Sequence, residues 1–363
     1  MRSTLLTITL SLFLVCLSGW LLLAGRTLLL PFVIALIAWY LINALSGIFQ
    51  KIPLGRWRLP GWVALPLSLV AIFMAATLVF DMVTVNLTQL ARDAPAYQSR
   101  LEQVFSDFTR PLKLEDPLEL RDLLPDATVP GMVTAGASFL TTIAGSASLV
   151  FIYVLFLLLE QSTFDRKLQQ VFTDRKKAET AFAVRAEINR SIMHYFGIKT
   201  AVSIFTGLFT SGLLSVAGLP YAPLFGFIAF LLNFIPTIGS LISVIFPSLL
   251  ALAYYDTLGP FVLIALGLGF AQFILGNLIE PRLMGSSLNL SGLVIMLSLS
   301  FWGTIWGVVG MVICVPLTVV LMIICSKFES TRPVAVLLSA NGNIGDPARP
   351  SGGSLISEVQ AKV

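Results

Sequence analysis

Glu280 is the residue of this chain whose chemistry most needs explaining. It lies in Gly276-Asn277-Leu-Ile-Glu280-Pro281-Arg282-Leu-Met-Gly285, within an otherwise apolar stretch. An ionisable group inside a membrane segment is expensive and is a functional candidate by default. Pro281 has no backbone donor and frees a carbonyl one turn earlier. Asn277 stands one turn from Glu280, so both side chains can face one cavity. Carboxylate, amide and freed carbonyls could together bind a proton or a sodium ion. A plainer reading stays open, in which Glu280 and Arg282 cap or pair at a helix end.

A second constellation is Asn233-Phe-Ile-Pro236-Thr237-Ile-Gly239-Ser240. Proline and glycine three residues apart unwind a helix locally, and the released N–H and C=O groups can coordinate a polar solute. A kinked helix is the simpler alternative. Gln272 is a lone uncharged polar group in an apolar helix, a candidate for the same site or for packing. In Trp302-Gly303-Thr-Ile-Trp306-Gly307-Val-Val-Gly310 three glycines would line one helical face, which permits close helix approach or a flexible gate. The candidates for solute binding or coupling are thus Asn233, Pro236, Thr237, Gly239, Gln272, Asn277, Glu280 and Pro281. Those for a gate or packing are Gly303, Gly307 and Gly310. Asp256, after Tyr254 and Tyr255, reads as part of an interfacial turn.

These motifs need apolar helices to hold them, and the composition supplies them. Of 363 residues, 56% are hydrophobic and 12% charged, where soluble domains carry about 25% charged residues. The expectation is an all-α polytopic membrane protein of about eight membrane segments, with discontinuous or re-entrant helices in its C-terminal half. Residues 1–85 hold three helices, near Leu5–Ala24, Leu28–Phe49 and Trp62–Val85, with Pro31 in the first turn of the second. The first run is expected to stay as a helix, because a second run follows at once and no small-x-small cleavage site is present.

Residues 86–136 form an extracytoplasmic insert with five basic and eight acidic residues. It begins with helical spacing of Leu87, Leu90, Ala94, Tyr97, Leu101, Val104 and Phe108, then breaks at Pro111, Pro117, Pro125 and Pro130. A fourth helix spans residues 137–160. Residues 161–199 are a basic cytoplasmic amphipathic linker carrying Arg166, Lys167, Arg175, Lys176, Lys177, Arg185, Arg190 and Lys199, suited to an interface or a packed helix pair. Residues 200–328 form the transport core with its broken helices. Residues 329–363 form a polar tail, expected to be disordered and cytoplasmic.

The loop after the second helix, the linker and the tail, with Arg2, Arg282 and Lys327, carry 17 of the 23 Lys and Arg residues. The excess of positive residues in cytoplasmic loops then places both termini in the cytoplasm. The net charge of +4 is spread over these loops and gives no sign of nucleic-acid binding. Cys16, Cys314 and Cys325 show no metal or redox spacing, and His194 is the only histidine. There is no G-x-x-x-x-G-K-[ST], no H-E-x-x-H and no G-x-S-x-G, so ATP-driven pumping and intramembrane hydrolysis lack a motif. No cofactor, metal or enzyme activity is expected.

Three stretches taken together resemble the autoinducer-2 exporter family of bacterial permease-like proteins. They are Phe234-Ile-Pro-Thr-Ile-Gly239, the Gly276–Gly285 motif, and Leu297-Ser-Leu-Ser-Phe-Trp-Gly-Thr-Ile-Trp-Gly-Val-Val-Gly-Met-Val-Ile-Cys-Val-Pro-Leu317. The layout of inserts and helices agrees along nearly the whole chain. One departure is visible: members often carry proline after the serine that here is Ser291, where this chain has Gly292. The resemblance implies secondary transport in the inner membrane, with the lipid bilayer, a small polar solute and further copies of the chain as partners. Members are linked to export of autoinducer-2, a furanone-type quorum-sensing signal, and others to exchange of sodium or lithium for protons. Solute export is therefore the first expectation and cation/proton antiport the second. A non-transporting membrane scaffold is the third.

Overall fold

The computed structural model describes residues 2–51, 53–54, 57–109, 129–172, 174–284 and 288–344. Pro111, Pro117 and Pro125 of the insert, Gly285 and residues 345–363 of the tail lie outside them. Nearly all described residues are helical: α1 (Arg2–Ala24), α2 (Arg26–Lys51), α3 (Gly61–Thr109), α4 (Val129–Glu160), α5 (Phe164–Val171), α6 (Arg175–Ala217), α7 (Ala222–Leu232), α8 (Ile238–Tyr254), α9 (Leu258–Ile274), α10 (Glu280–Met284), α11 (Gly292–Ser326) and α12 (Arg332–Leu338). A π-helical turn, Leu275–Ile279, joins α9 to α10, and two-residue strands β1 (Pro53–Leu54) and β2 (Trp57–Arg58) pair antiparallel after α2.

Among the described residues, five helical stretches are long and apolar enough, by length and composition, to cross a bilayer: Arg26–Lys51, Gly61–Asp107, Lys177–Ala217, Leu258–Met284 and Gly292–Ser326, the last of them broken at Gly307. Ala144–Glu160, Ala222–Leu232 and Ile238–Tyr254 are shorter apolar helices. Large apolar side chains such as Leu208, Val216, Leu266 and Phe270 are exposed, as suits helices whose solvent is lipid. The chain is an all-α polytopic membrane protein.

Two compact units emerge, each from separated parts of the chain: Met1–Tyr40, Leu149–Phe196 and Met284–Val363 make one, and Leu41–Ser148 and Gly197–Leu283 the other. The second is built on a core of Leu214, Leu224, Leu250, Ala251, Ile264 and Leu268, to which α3 adds Val83. Here α3 does not end near Val85. The helical spacing from Leu87 onward continues the same rod to Thr109, because no proline or glycine breaks the hydrogen-bond ladder there except Pro95, which the helix absorbs.

One face of that extension, at Asp93, Tyr97 and Arg100, grips two loops. The Tyr221 hydroxyl donates to the Asp93 carboxylate, and Arg100 Nη2 meets Asp256 Oδ1 at 2.7 Å. Burial first, and the bond to Asp93 second, push the Tyr221 hydroxyl far above the ordinary tyrosine range, so it stays a donor. Tyr255 Oη also donates to the Ala217 carbonyl at 2.5 Å. The expected interfacial turn at Tyr254–Asp256 is thereby tied to both α3 and the end of α6.

The first unit is centred on Ile305, Trp306 and Ile313, packed against Leu22, Leu29, Leu30, Val33 and Ile37. Trp306 Nε1 donates to the Leu22 carbonyl at 3.1 Å. Helical bonds run across Gly25, from Gly25 N to Leu21 O at 2.8 Å and from Leu29 N to Gly25 O at 2.9 Å. This continuity puts Pro31 inside a helix rather than in a first turn. Part of the stretch expected to be disordered is ordered: α12 follows α11, and Ser291 N donates to Leu338 O and Ala340 N to Asn289 O, both at 3.0 Å.

Candidate functional site

Helix α6 enters the apolar region with one polar face. Lys199, Ser203, Thr206 and Thr210 recur at helical spacing and are all buried. Thr206 returns its hydroxyl to the Val202 carbonyl, but the other two ends of the seam reach across. Lys199 Nζ lies 2.5 Å from Glu280 Oε1, with side chains 6% and 16% exposed. One turn on, Asn233 Nδ2 donates to Ser203 Oγ at 2.9 Å. On the adjoining pair α8–α9, Gln272 Nε2 donates to Ser243 Oγ at 2.8 Å, and Ser243 Oγ donates to Ser240 O at 2.8 Å. In a low-dielectric setting these groups must be satisfied by one another or by a solute.

The loop between α7 and α8 brings Asn233 to this seam. Pro236 cannot continue the helix, and Ile238 N donates to Pro236 O at 2.6 Å. Thr237, between them, has φ 62° and ψ −57°, the rare positive-φ form of the γ-turn. A β-branched residue there is strained by about 1–3 kcal/mol. The hairpin closes because residue 239 is glycine: a Cβ there would fall 1.7 Å from the Leu232 carbonyl oxygen.

Glu280 follows the π turn, and its N–H donates to Leu275 O, five residues back. Pro281 removes the donor that Asn277 O would otherwise receive, and the wider turn absorbs the mismatch. The widening also separates the two candidate side chains. Glu280 turns to Lys199, while Asn277 is exposed and donates to Phe273 O at 3.2 Å. The pairing partner of Glu280 is therefore Lys199, not the exposed Arg282.

The glycine motif of the other unit makes a second hairpin. Gly307 has φ 62° and ψ −141°, and the chain reverses there within α11. Ser298 Oγ reaches Cys314 O at 3.1 Å and Thr318 Oγ1 at 2.6 Å; in a straight helix, partners 16 and 20 residues apart would stand about 24–30 Å apart. A Cβ on Gly310 would fall 1.9 Å from Trp302 O, and one on Gly303 would meet the Met311 side chain at 3.1 Å. The three glycines thus do not line one helical face; two of them sit on opposing limbs of a turn.

The structure brings together Asn233 with Ser203, Gln272 with Ser243, and Glu280 with Lys199. Lys199 is the partner that sequence reasoning missed, by placing it with the basic linker. Its signal was available: Lys199, Ser203, Thr206 and Thr210 follow 4-3-4 spacing in an apolar run. Among the described residues no three His, Cys, Asp or Glu side chains gather into a metal-binding group. The seam offers buried donors, acceptors and one ion pair.

Known proteins with similar sequences are transport proteins. A family model described as "AI-2E family transporter" matches residues 8–329. The chain is 32% identical over 322 residues to the AI-2 transport protein TqsA of Escherichia coli K12, covering 86% of this chain and 89% of that protein. It is 33% identical over 291 residues to a putative transport protein of Haemophilus influenzae, covering 77% and 82%. It is 28% identical over 326 residues to the putative transport protein YhhT of E. coli K12, covering 85% and 89%.

Proposed function

The chain belongs to the AI-2E transporter family, and from that premise we propose that it exports a small polar solute of the autoinducer-2 kind across the bacterial inner membrane. The observation that carries this reading is the buried polar seam of α6, where Asn233 of a strained hairpin loop meets Ser203 one turn from the Lys199–Glu280 pair. A hydroxylated solute can replace the internal partners of Asn233, Ser203 and Gln272 one for one, because each is satisfied by a neutral hydroxyl or amide. The strain at Thr237 gives the loop a reason to change shape when a solute takes over those bonds.

The excess of Lys and Arg in the linker and tail supports a cytoplasmic position for both termini, and the exposed apolar faces of α3 and α9 suit contact with lipid or with further copies of the chain. Cation/proton antiport finds less support, since Glu280 already has a counter-charge. The test is flux in reconstituted vesicles with autoinducer-2 and a panel of polar metabolites, with and without imposed sodium and proton gradients. Flux of autoinducer-2 above protein-free vesicles supports export. Sodium-dependent proton movement without solute flux would replace it by antiport.

A further inference from the structure

The stretch from Lys199 to Glu280 contains only one other charged residue, Asp256. Asp256 is engaged by Arg100 and is 94% exposed. Lys199 and Glu280 are therefore the only charges that the apolar helices of this unit bury between those positions, and they lie in contact at 2.5 Å. Their charges cancel within the seam.

Glu280 places a carboxylate directly after a π turn, and the side chain it meets is Lys199. A buried carboxylate at a discontinuity in a membrane helix is the kind of group that binds either a free cation or a cationic side chain. Hard monovalent cations take such oxygen donors where helices are discontinuous. Here the place next to the carboxylate is filled by an ammonium on the same chain. A free cation entering it would meet the positive charge of Lys199 at close range in a low-dielectric setting, which is strongly unfavourable.

We propose that Lys199 is a tethered counter-cation: its ammonium occupies the seat beside Glu280 that sodium or lithium would take in an ion-coupled site, so solute movement through this unit needs no alkali cation. This inference rests on the transport reading above. It assigns Lys199 a positioning and specificity role, holding Glu280 in the seam and excluding cations from it.

Two readouts test it. In the first, thermal unfolding of the purified full-length protein in detergent is compared in choline, sodium and lithium chloride at equal ionic strength. The wild-type Tm is expected to be the same in all three. Lys199→Gln is expected to lower the Tm in choline and to regain several degrees in sodium or lithium, as ligand linkage requires. Lys199→Arg should stay insensitive, and the double variant Lys199→Gln/Glu280→Gln should lose the response. A wild-type protein that sodium or lithium stabilises overturns the proposal, as does a folded Lys199→Gln that neither cation stabilises. If Lys199→Gln does not fold, the wild-type comparison still decides. In the second readout, solute flux by the wild type in vesicles should not change when a sodium gradient is imposed; flux that follows the gradient overturns the proposal. Absence of flux for every solute tested would instead count against the transport reading and leave the cation-binding result standing.

Discussion

The two hairpin turns of this protein solve the same steric problem with different residues. Both bring a glycine Cα against a carbonyl oxygen seven or eight residues earlier, Gly239 on Leu232 and Gly310 on Trp302. In the Trp302–Gly310 turn the positive-φ position is itself a glycine, Gly307, and the surroundings are the apolar packing of Ile305, Trp306 and Ile313. In the Leu232–Gly239 turn the positive-φ position is Thr237, and the adjoining side chain is Asn233, which bonds to the polar seam. One turn is relaxed and packed, whereas the other is strained and polar. Strain retained where glycine would relieve it marks the second as the place to test for change during transport, since sparsely populated backbone conformations gather at functional sites.

The largest effect expected tests what the turns share. Gly239→Ala and Gly310→Ala each push a methyl into a backbone carbonyl, and both should cost more than about 3 kcal/mol. Yield of monodisperse protein by fluorescence-detected size exclusion should collapse for both. A normal profile for either would show that its turn is looser than described.

Removing Lys199 comes next. Lys199→Ala leaves Glu280 buried without its partner and should cost about 3–5 kcal/mol. Lys327→Ala, which breaks the pair with Glu187 at 2.7 Å, should cost less than about 1 kcal/mol, because those side chains are 22% and 33% exposed. Thermal unfolding in detergent ranks the two, and equal shifts would deny the Lys199–Glu280 pair its special place.

The smallest effect has the opposite sign. Thr237→Gly relieves about 1–3 kcal/mol of strain and gives back about 0.5–1 kcal/mol in backbone entropy. The Tm should rise slightly while flux falls, if strain in this turn serves transport. The reverse substitution in the other turn, Gly307→Thr, should lower the Tm. A Thr237→Gly variant that is both less stable and fully active would remove strain from the account.

The turn at Pro236 and Gly239 was legible in the sequence because proline and glycine interrupt an apolar run; Gly303, Gly307 and Gly310 mark an interruption too, but their spacing fits a helical face as well as a turn. The all-helical membrane fold followed from hydropathy. What was not legible has physical reasons. Lys199 sits at the end of a basic run, and its partner lies far along the chain, so only the folded helices bring them together. The π turn that parts Asn277 from Glu280 arises from the local accommodation of Pro281, and residue spacing counted on an ideal helix misses it. Thr237 rather than a glycine takes the positive φ, against the residue preferences that guide sequence reading. The continuation of α3 to Thr109 was present as helical spacing, but nothing in that spacing says whether a membrane helix stops before it or runs through.

Transport by this protein, as proposed, requires solute to cross at the polar seam. The direct measurement is autoinducer-2 flux in vesicles for the wild type, Asn233→Leu in the strained turn and Ser298→Ala in the packed hairpin, each at matched protein density. Loss of one or two hydrogen bonds to the moving solute corresponds to about tenfold or more in rate. That loss is expected for Asn233→Leu, with Ser298→Ala within about twofold of wild type. Equal flux in Asn233→Leu and wild type, or an equal loss in Ser298→Ala, would contradict it.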